Sequence, residues 1–250
     1  MSAPSVLPHE VWQTLYPPGT FAVGAGVEFD TVYPATLPDG RQIALPIRAL
    51  PDSGGSRAVA SLIIHQAAFA VEDALADVMA ERLAPFAPDV VVSVPSLGLT
   101  LGQAVARRLG HSRLVALGTT RKFWYDMELS EPSSSISSAR APKMLYLDPR
   151  MRPLLEGRRI ALVDDVVSTG SSLGSVLRLL AKAEVTPCAL AVAMTQTDRW
   201  RALPELAAAG LGDRVVSAFA TPPLVRTPSG LWRAETSVHG QDALPAAPAG

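Results

Sequence analysis

Short apolar runs alternate with amphipathic stretches through most of the chain. Such runs predict strands, and the run at residues 160–163 is typical of a strand buried on both faces. The strands predicted in this way occupy residues 89–94, 112–117, 160–163, 186–194 and 214–219. After the third of them, Leu173, Val176 and Leu180 recur at helical spacing. Strands that alternate with helices predict an α/β fold with a doubly wound, mainly parallel sheet.

The first quarter of the chain has a different pattern. Residues 31–37 and 41–47 flank the pair Asp39-Gly40, and Asp-Gly is a strong signal for a tight hairpin turn. Prolines within both segments favour edge strands. We therefore predict a hairpin that forms a small appendage rather than part of the main sheet. A helical pattern from about residue 57 to residue 83 follows.

The most informative stretch is residues 159–172, where a strand, an acidic pair and a small polar loop precede a helix. Asp164 and Asp165 come where the strand that begins at Ile160 is expected to end. The loop at the predicted helix start contains Ser168, Thr169, Gly170, Ser171 and Ser172. Backbone N–H groups and hydroxyls at a helix N-terminus, together with the helix dipole, favour a bound anion.

Two carboxylates beside that loop argue against a site for phosphate alone, because neighbouring anions repel one another unless a cationic or polyhydroxyl group lies between them. A ribose 5-phosphate meets this requirement. Its phosphate would occupy the loop, and its 2- and 3-hydroxyls would donate hydrogen bonds to Asp164 and Asp165. The alternative is a strand with an acidic end and a capped helix, since Ser and Thr are also common N-caps.

A second turn from strand to helix follows the strand predicted at residues 89–94. It contains Pro95, Ser96, Leu97 and Gly98, and it is a second candidate anion site at a helix N-terminus. Two cationic residues, Arg121 and Lys122, come shortly after the next predicted strand. Beside a bound anion they would neutralise charge, and an arginine can do so through two parallel hydrogen bonds.

Composition narrows the classes of protein. The 250 residues, 26.3 kDa and 48% hydrophobic content suit one large domain with an appendage and a substantial core. A net charge of −1 gives no reason to expect nucleic-acid binding, and no apolar run is long enough to cross a membrane. The N-terminus lacks signal-peptide character, and Cys188, the single cysteine, cannot form an internal disulfide. We therefore expect a cytoplasmic protein.

Residues 162–170, Leu-Val-Asp-Asp-Val-Val-Ser-Thr-Gly, resemble the phosphoribosyl pyrophosphate-binding motif of type I phosphoribosyltransferases. That motif consists of hydrophobic residues, two acids, two more hydrophobic residues and a small-Thr-Gly loop. The resemblance extends from about residue 56 to residue 220. It implies a homodimeric, Mg²⁺-dependent enzyme that transfers ribose 5-phosphate from phosphoribosyl pyrophosphate to a nucleobase and releases pyrophosphate. The donor itself would hold most of the metal's coordination sites.

The resemblance also implies a division of the chain. Residues 1–55 would form a hood-like appendage, residues 56–220 the phosphoribosyltransferase core, and residues 221–250 a hood extension with a disordered tail. The polar connection at about residues 120–147, with its serine run at 133–138, corresponds to the family's flexible lid, which closes over the substrates and excludes water. The implied pyrophosphate-binding residues are Pro95, Ser96, Leu97, Gly98, Arg121, Lys122 and Lys143.

One departure from the family bears on the acceptor base. Hypoxanthine/guanine members carry an Asp two places before the loop glycine, and Ser168 stands there in this chain. Adenine members have a small residue at that place and use an acid from the lid, so Glu128 and Glu131 join Asp164 and Asp165 as candidate catalytic residues. Orotate members use a basic lid. An adenine-like purine is therefore preferred, and the alternatives are orotate, another base, or a non-catalytic sensor of the donor.

Overall fold

The computed structural model describes residues 6–133 and 143–235. Its strands are β1 (Leu15–Tyr16), β2 (Glu28–Phe29), β3 (Val32–Thr36), β4 (Gln42–Ala49), β5 (Arg57–Ala60), β6 (Val90–Ser93), β7 (Val115–Ala116), β8 (Ser130–Ser133), β9 (Lys143–Tyr146), β10 (Ile160–Val167), β11 (Ala189–Gln196), β12 (Val215–Thr221), β13 (Leu224–Arg226) and β14 (Trp232–Ala234). Its α-helices are α1 (Phe69–Leu83), α2 (Gly98–Arg108), α3 (Ser171–Lys182) and α4 (Pro204–Ala208).

The central sheet is parallel and has the strand order β12-β11-β10-β6-β7. β10 lies in its middle because its side chains are apolar on both faces. Ala161 and Val163 belong to the core that α1 and α2 cover, whereas Ile160 and Leu162 belong to the core that α3 covers. Full burial of each large aliphatic side chain contributes about 1.5–3 kcal/mol. The predicted α/β fold with a doubly wound parallel sheet is confirmed.

The second sheet is antiparallel and combines segments from before and after the central sheet. Its order is β1-β4-β5-β13-β14-β2, with β3 paired to β4. The predicted hairpin is confirmed as β3 and β4, and Gly40 in its turn has a φ of 85°, which residues with side chains rarely adopt. β13 enters the sheet through its pairing with β5. The two ends of the described chain therefore build one layer.

Two predicted helices differ from the observed elements. The helix predicted from residue 57 begins only at Phe69, because residues 57–60 form β5, which is paired with β4 on one side and β13 on the other. Pairing on both edges outweighs the helical spacing of the apolar residues. The sequence also predicts a single helix over residues 198–209, but the structure divides this segment into a 3₁₀ turn at Arg199–Ala202 and α4, which begins at Pro204. Proline is favourable at a helix start but not within a helix.

Between the central strands β7 and β10, the chain forms a ribbon of β8 and β9. Ser130 pairs with Tyr146 and Ser133 with Lys143, and the ribbon packs on α3. Residues 134–142, with most of the serine run of the predicted lid, lie outside the described residues, as does the predicted tail. Among the helices of the described chain, none has the length and apolar character needed to cross a bilayer.

Candidate active site

The acidic pair lies within β10 rather than beyond its end. Asp164 pairs with Val192 of β11, and the strand continues to Val167. The amide of Asp165 donates a 2.9 Å hydrogen bond to Oδ1 of Asp164. Since neighbouring strand residues point to opposite faces, the two carboxyl groups have different surroundings. Asp164 lies against the turn that follows β6, and Asp165 lines a cavity.

Both acidic residues are half-buried. Burial raises the pKa of Asp164 well above its usual range, and the negative charge of Asp165 adds to this shift. Burial also raises the pKa of Asp165, although hydrogen bonds from its surroundings oppose the effect. No Lys or Arg of the described chain forms an ion pair with either group. A ligand that brings hydroxyl donors or positive charge therefore favours the ionised pair.

The polar loop after β10 meets the N-terminus of α3. Gly170 has a φ of 85°, and a Cβ there would lie 2.3 Å from Cδ1 of Leu203, so a larger residue does not fit. Thr197 holds the loop by donating from Oγ1 to the carbonyl of Ser168 at 2.9 Å. Amides in the first turn of a helix have no partner within that helix. The half-buried hydroxyls beside them belong to Ser168, Thr169, Ser171 and Ser172. This arrangement suits a phosphate.

The turn after β6 is in direct contact with the acidic pair. Oγ of Ser93 donates a 2.7 Å hydrogen bond to the carbonyl of Gly98, the first residue of α2. A Cβ at Gly98 would lie 2.8 Å from Oδ1 and 2.9 Å from Cα of Asp164. The peptide bond between Pro95 and Ser96 is cis, and Ser96 is exposed while Pro95 and Leu97 are half-buried. The structure therefore brings the two predicted anion-binding turns together at one edge of the sheet.

The other predicted residues lie farther from the acidic pair in the topology. Arg121 and Lys122 follow β7, which is the neighbour of β6, and both are exposed. Because parallel strands end at the same edge, these two residues leave the sheet on the side of the two turns. Glu128 precedes β8 and Lys143 begins β9, and both are exposed. None of the four forms an ion pair with a described residue.

A cavity of about 210 Å³ lies between the antiparallel sheet and the carboxyl ends of β10 and β11. Its lining residues are Arg48, Val59, Ala60, Ser61, Leu62, Asp165, Val166, Met194 and Gln196. Because Asp165 belongs to both, the cavity adjoins the acidic pair. Among these residues only Asp165 is predicted from the sequence as part of a site, since segments far apart in the chain form the walls. Gln196, a polar residue at the end of an apolar strand, carried the one local signal that could have been used.

The surroundings of Glu131 require a correction of its predicted role as a catalytic acid of the lid. Its side chain is 10% exposed and forms ion pairs of 2.7 Å with Arg178 and with Lys182 of α3. Burial alone would raise the pKa of Glu131, but the hydrogen bonds and charges of these two residues outweigh burial and lower it. Such a carboxylate does not donate a proton near neutral pH. Glu131 instead fastens the ribbon to α3.

Replacing Glu131 by Gln should lower the free energy of unfolding by about 1–2 kcal/mol, because it removes the negative charge and one of the two acceptor oxygens that Arg178 and Lys182 contact. The pKa of Glu131 in the folded protein lies below its ordinary value of 4.5, so this contribution is present above that value and is lost as the pH falls through the folded pKa. Urea unfolding at about pH 7 and about pH 3 measures both effects.

The difference in the free energy of unfolding between wild type and E131Q is expected to be smaller at the acidic pH. A difference of equal size at both pH values would contradict the assignment. Glu156→Gln is the matched control, because the 3.4 Å contact of Glu156 with Arg152 is exposed, with Glu156 61% accessible. Exposed pairs of this kind contribute about 0–1 kcal/mol.

The sequence matches the phosphoribosyl transferase domain over residues 61–208. It is 32% identical to adenine phosphoribosyltransferase from Mycobacterium marinum over 140 residues, which cover 52% of this chain and 66% of that protein. The chain thus spans slightly less than two thirds of the length of this relative.

Two solved structures are also similar. The enzyme of Giardia lamblia in complex with 9-deazaadenine has a TM-score of 0.49 and 22% identity, and the match covers 70% of this chain and 93% of that one. Adenine phosphoribosyltransferase from Thermoanaerobacter pseudethanolicus has a TM-score of 0.49 and 19% identity, with coverage of 61% and 81%. The domain match alone spans more than half of the sequence. The chain therefore belongs to the phosphoribosyl transferase domain family.

Proposed function

We propose that the protein transfers ribose 5-phosphate from phosphoribosyl pyrophosphate to a purine base, with adenine as the preferred acceptor, and releases pyrophosphate. The observation that carries this proposal is the position of Asp165, which belongs both to the acidic pair in front of α3 and to the cavity under the antiparallel sheet. A ribose held at the pair by its hydroxyls would have its C1 atom beside that cavity. The cavity is smaller than the ~300–1,000 Å³ typical of drug-sized ligands, and this suits a single base.

The donor would bind across both turns. The N-terminus of α3 binds the 5-phosphate through residues 168–172, and residues 95–98 bind the pyrophosphate, with positive charge from Arg121, Lys122 and Lys143. In the reaction the bond from C1 to a pyrophosphate oxygen breaks, a bond from C1 to a base nitrogen forms, and the base releases a proton. Positive charge develops on the ribose in the transition state, and the carboxylates of Asp164 and Asp165 stabilise that charge.

Mg²⁺ would accompany the donor. Within residues 6–133 and 143–235, no cluster of three or more His, Cys, Asp or Glu side chains is placed to hold a metal ion. Asp164 and Asp165 nevertheless offer hard oxygen atoms and form no ion pair with Lys or Arg among those residues. They fit a metal whose ligands come mainly from the phosphates and hydroxyls of the donor. When bound, such a metal offsets negative charge on the departing pyrophosphate.

Further parts of the proposal follow the family. Glu128 is the candidate acid that is left in the lid region, and the protein would act as a homodimer. The hood would comprise the antiparallel sheet, with strands from residues 1–55, from β5 and from residues 221–250. The catalytic core would then begin near residue 61, where the domain match also begins.

Three observations bear on the acceptor. Adenine is supported by Ser168, which replaces the acid of hypoxanthine/guanine members, and by the 32% identity to an enzyme named for adenine. Orotate is the second candidate because Arg48 lines the cavity and has no ion-pair partner in the described chain. A guanidinium in that place could pair with a carboxylate on the acceptor.

Pyrophosphate release tests the proposal. The protein is mixed with phosphoribosyl pyrophosphate, Mg²⁺ and one of six bases: adenine, hypoxanthine, guanine, xanthine, orotate or uracil. We expect adenine to react at least about tenfold faster than the others, and chelation of Mg²⁺ to stop release until the metal is restored. Release with orotate alone would replace adenine by the second candidate. If no base leads to pyrophosphate release while calorimetry shows donor binding, the protein binds the donor without catalysing the transfer.

A further inference from the structure

Gln196 lies in the wall of the cavity with its amide group fixed in one orientation. The residue ends β11, and its Nε2 donates a hydrogen bond to the carbonyl of Ala60 at the end of β5. Because a carbonyl oxygen can only accept, the atom that meets Ala60 must be the NH₂ group. Only 7% of Gln196 is exposed, so the side chain has little room to rotate. Its Oε1 therefore faces away from the Ala60 carbonyl.

Oε1 of Gln196 accepts no hydrogen bond from residues 6–133 or 143–235. The one hydrogen bond of the Gln196 amide to a described residue is the one that Nε2 donates to Ala60. Because Nε2 is engaged by Ala60, Oε1 is the amide atom that remains for the cavity that Gln196 lines. Much of the surrounding wall is apolar, with Val59, Leu62 and Met194. An amide oxygen in such a wall is costly to desolvate unless a ligand donates to it.

We propose that Gln196 selects the acceptor by accepting a hydrogen bond from an exocyclic amino group of the base. This inference rests on the proposed function. Adenine presents an amino group at C6, whereas hypoxanthine presents an oxygen there, and an oxygen would place a second acceptor against Oε1. A glutamine amide could ordinarily rotate and offer its NH₂ group instead. Here rotation would bring Oε1 against the carbonyl oxygen of Ala60, so that carbonyl fixes Gln196 as an acceptor.

The first test needs no variant. kcat/KM of the wild-type protein is measured for adenine, for purine, which lacks the amino group, and for hypoxanthine. Purine has no amino group to donate a hydrogen bond, so Oε1 of Gln196 would be left unpaired when purine binds. We therefore expect kcat/KM for purine to be about 10- to 100-fold lower than for adenine. Hypoxanthine should react no better than purine. Equal efficiency with adenine and purine, or a preference for hypoxanthine or orotate, overturns the inference.

The second test replaces Gln196 by Met, which has a similar length and no acceptor of comparable strength. In Q196M, kcat/KM for adenine should fall to within about threefold of kcat/KM for purine. KM for phosphoribosyl pyrophosphate should stay unchanged. Thr195→Val is the control. Thr195 precedes Gln196 on β11, points to the opposite face and contacts Ser217 through its hydroxyl, so T195V should keep the wild-type ratio.

The outcomes separate this inference from the function on which it rests. A wild-type ratio retained in Q196M overturns the role of Gln196 while phosphoribosyl transfer stands. Absence of turnover with every base overturns the proposed function and this inference with it. If Q196M does not fold, the comparison of adenine with purine in the wild-type protein still decides whether the amino group is recognised.

Discussion

Replacing Asp165 by Asn is expected to lower kcat/KM for phosphoribosyl pyrophosphate about 100- to 1,000-fold. Asn preserves the size of the side chain but removes its negative charge and one of its two acceptor oxygens. The loss should appear in donor affinity as well as in turnover, because the carboxylate would contact the ribose hydroxyls before the bond breaks and stabilise positive charge while it breaks. Calorimetry with the donor and Mg²⁺ measures the first effect, and steady-state kinetics measures the second.

The same variant should also change the pH dependence of donor binding. The negative charge of Asp165 contributes to the raised pKa of Asp164, so its removal should lower that pKa. If the ribose needs an ionised Asp164, donor binding will extend to lower pH in D165N than in wild type. Asp213→Asn, in an exposed turn, is the matched control and should leave both properties unchanged. Unchanged donor affinity in D165N would contradict the role of Asp165 in donor binding, on which the proposed function depends.

The central part of the site could be predicted because it depends on neighbours in the sequence. The apolar run from Ile160, the acidic pair and the loop to Ser172 each have a local signal. The structure places the pair inside the strand rather than at its predicted end, and the loop and helix follow in the predicted order. The match of residues 61–208 to the family confirms the resemblance that this stretch suggested. Residues 95–98 could be placed beside the pair because parallel strands end at one edge.

The rest of the site depends on contacts between distant segments. Ala60 and Gln196 are 136 residues apart, and their hydrogen bond exists only because the antiparallel sheet covers the end of β11. Glu131 lies 47 residues from Arg178, so its sequence neighbourhood gave no sign that α3 would neutralise it. The sequence predicts a helix where β5 lies, because the pairing of β5 with β4 before it and β13 after it has no local signal. Local spacing contains no information on such pairings.

Replacing Gly98 by Ala is expected to lower the free energy of unfolding by about 1–3 kcal/mol and to weaken donor binding. The added Cβ would lie 2.8 Å from Oδ1 and 2.9 Å from Cα of Asp164. Because one of these contacts is with backbone, rotation of a side chain cannot relieve it, and either the start of α2 or β10 must move. That movement would separate the turn after β6 from the acidic pair. Urea unfolding and donor calorimetry measure the two effects.

Gly212→Ala makes the same chemical change without an overlap, since a Cβ at Gly212 meets no atom within 4 Å. The free energy of unfolding of G212A should stay within about 0.5 kcal/mol of the wild-type value. If the donor occupies both turns at once, G98A should bind the whole donor more weakly while its affinity for ribose 5-phosphate alone falls less, because only the complete donor spans the disturbed contact. If G98A has the same free energy of unfolding and the same donor affinity as wild type, the close approach of α2 to β10 does not hold the two turns in register for one ligand.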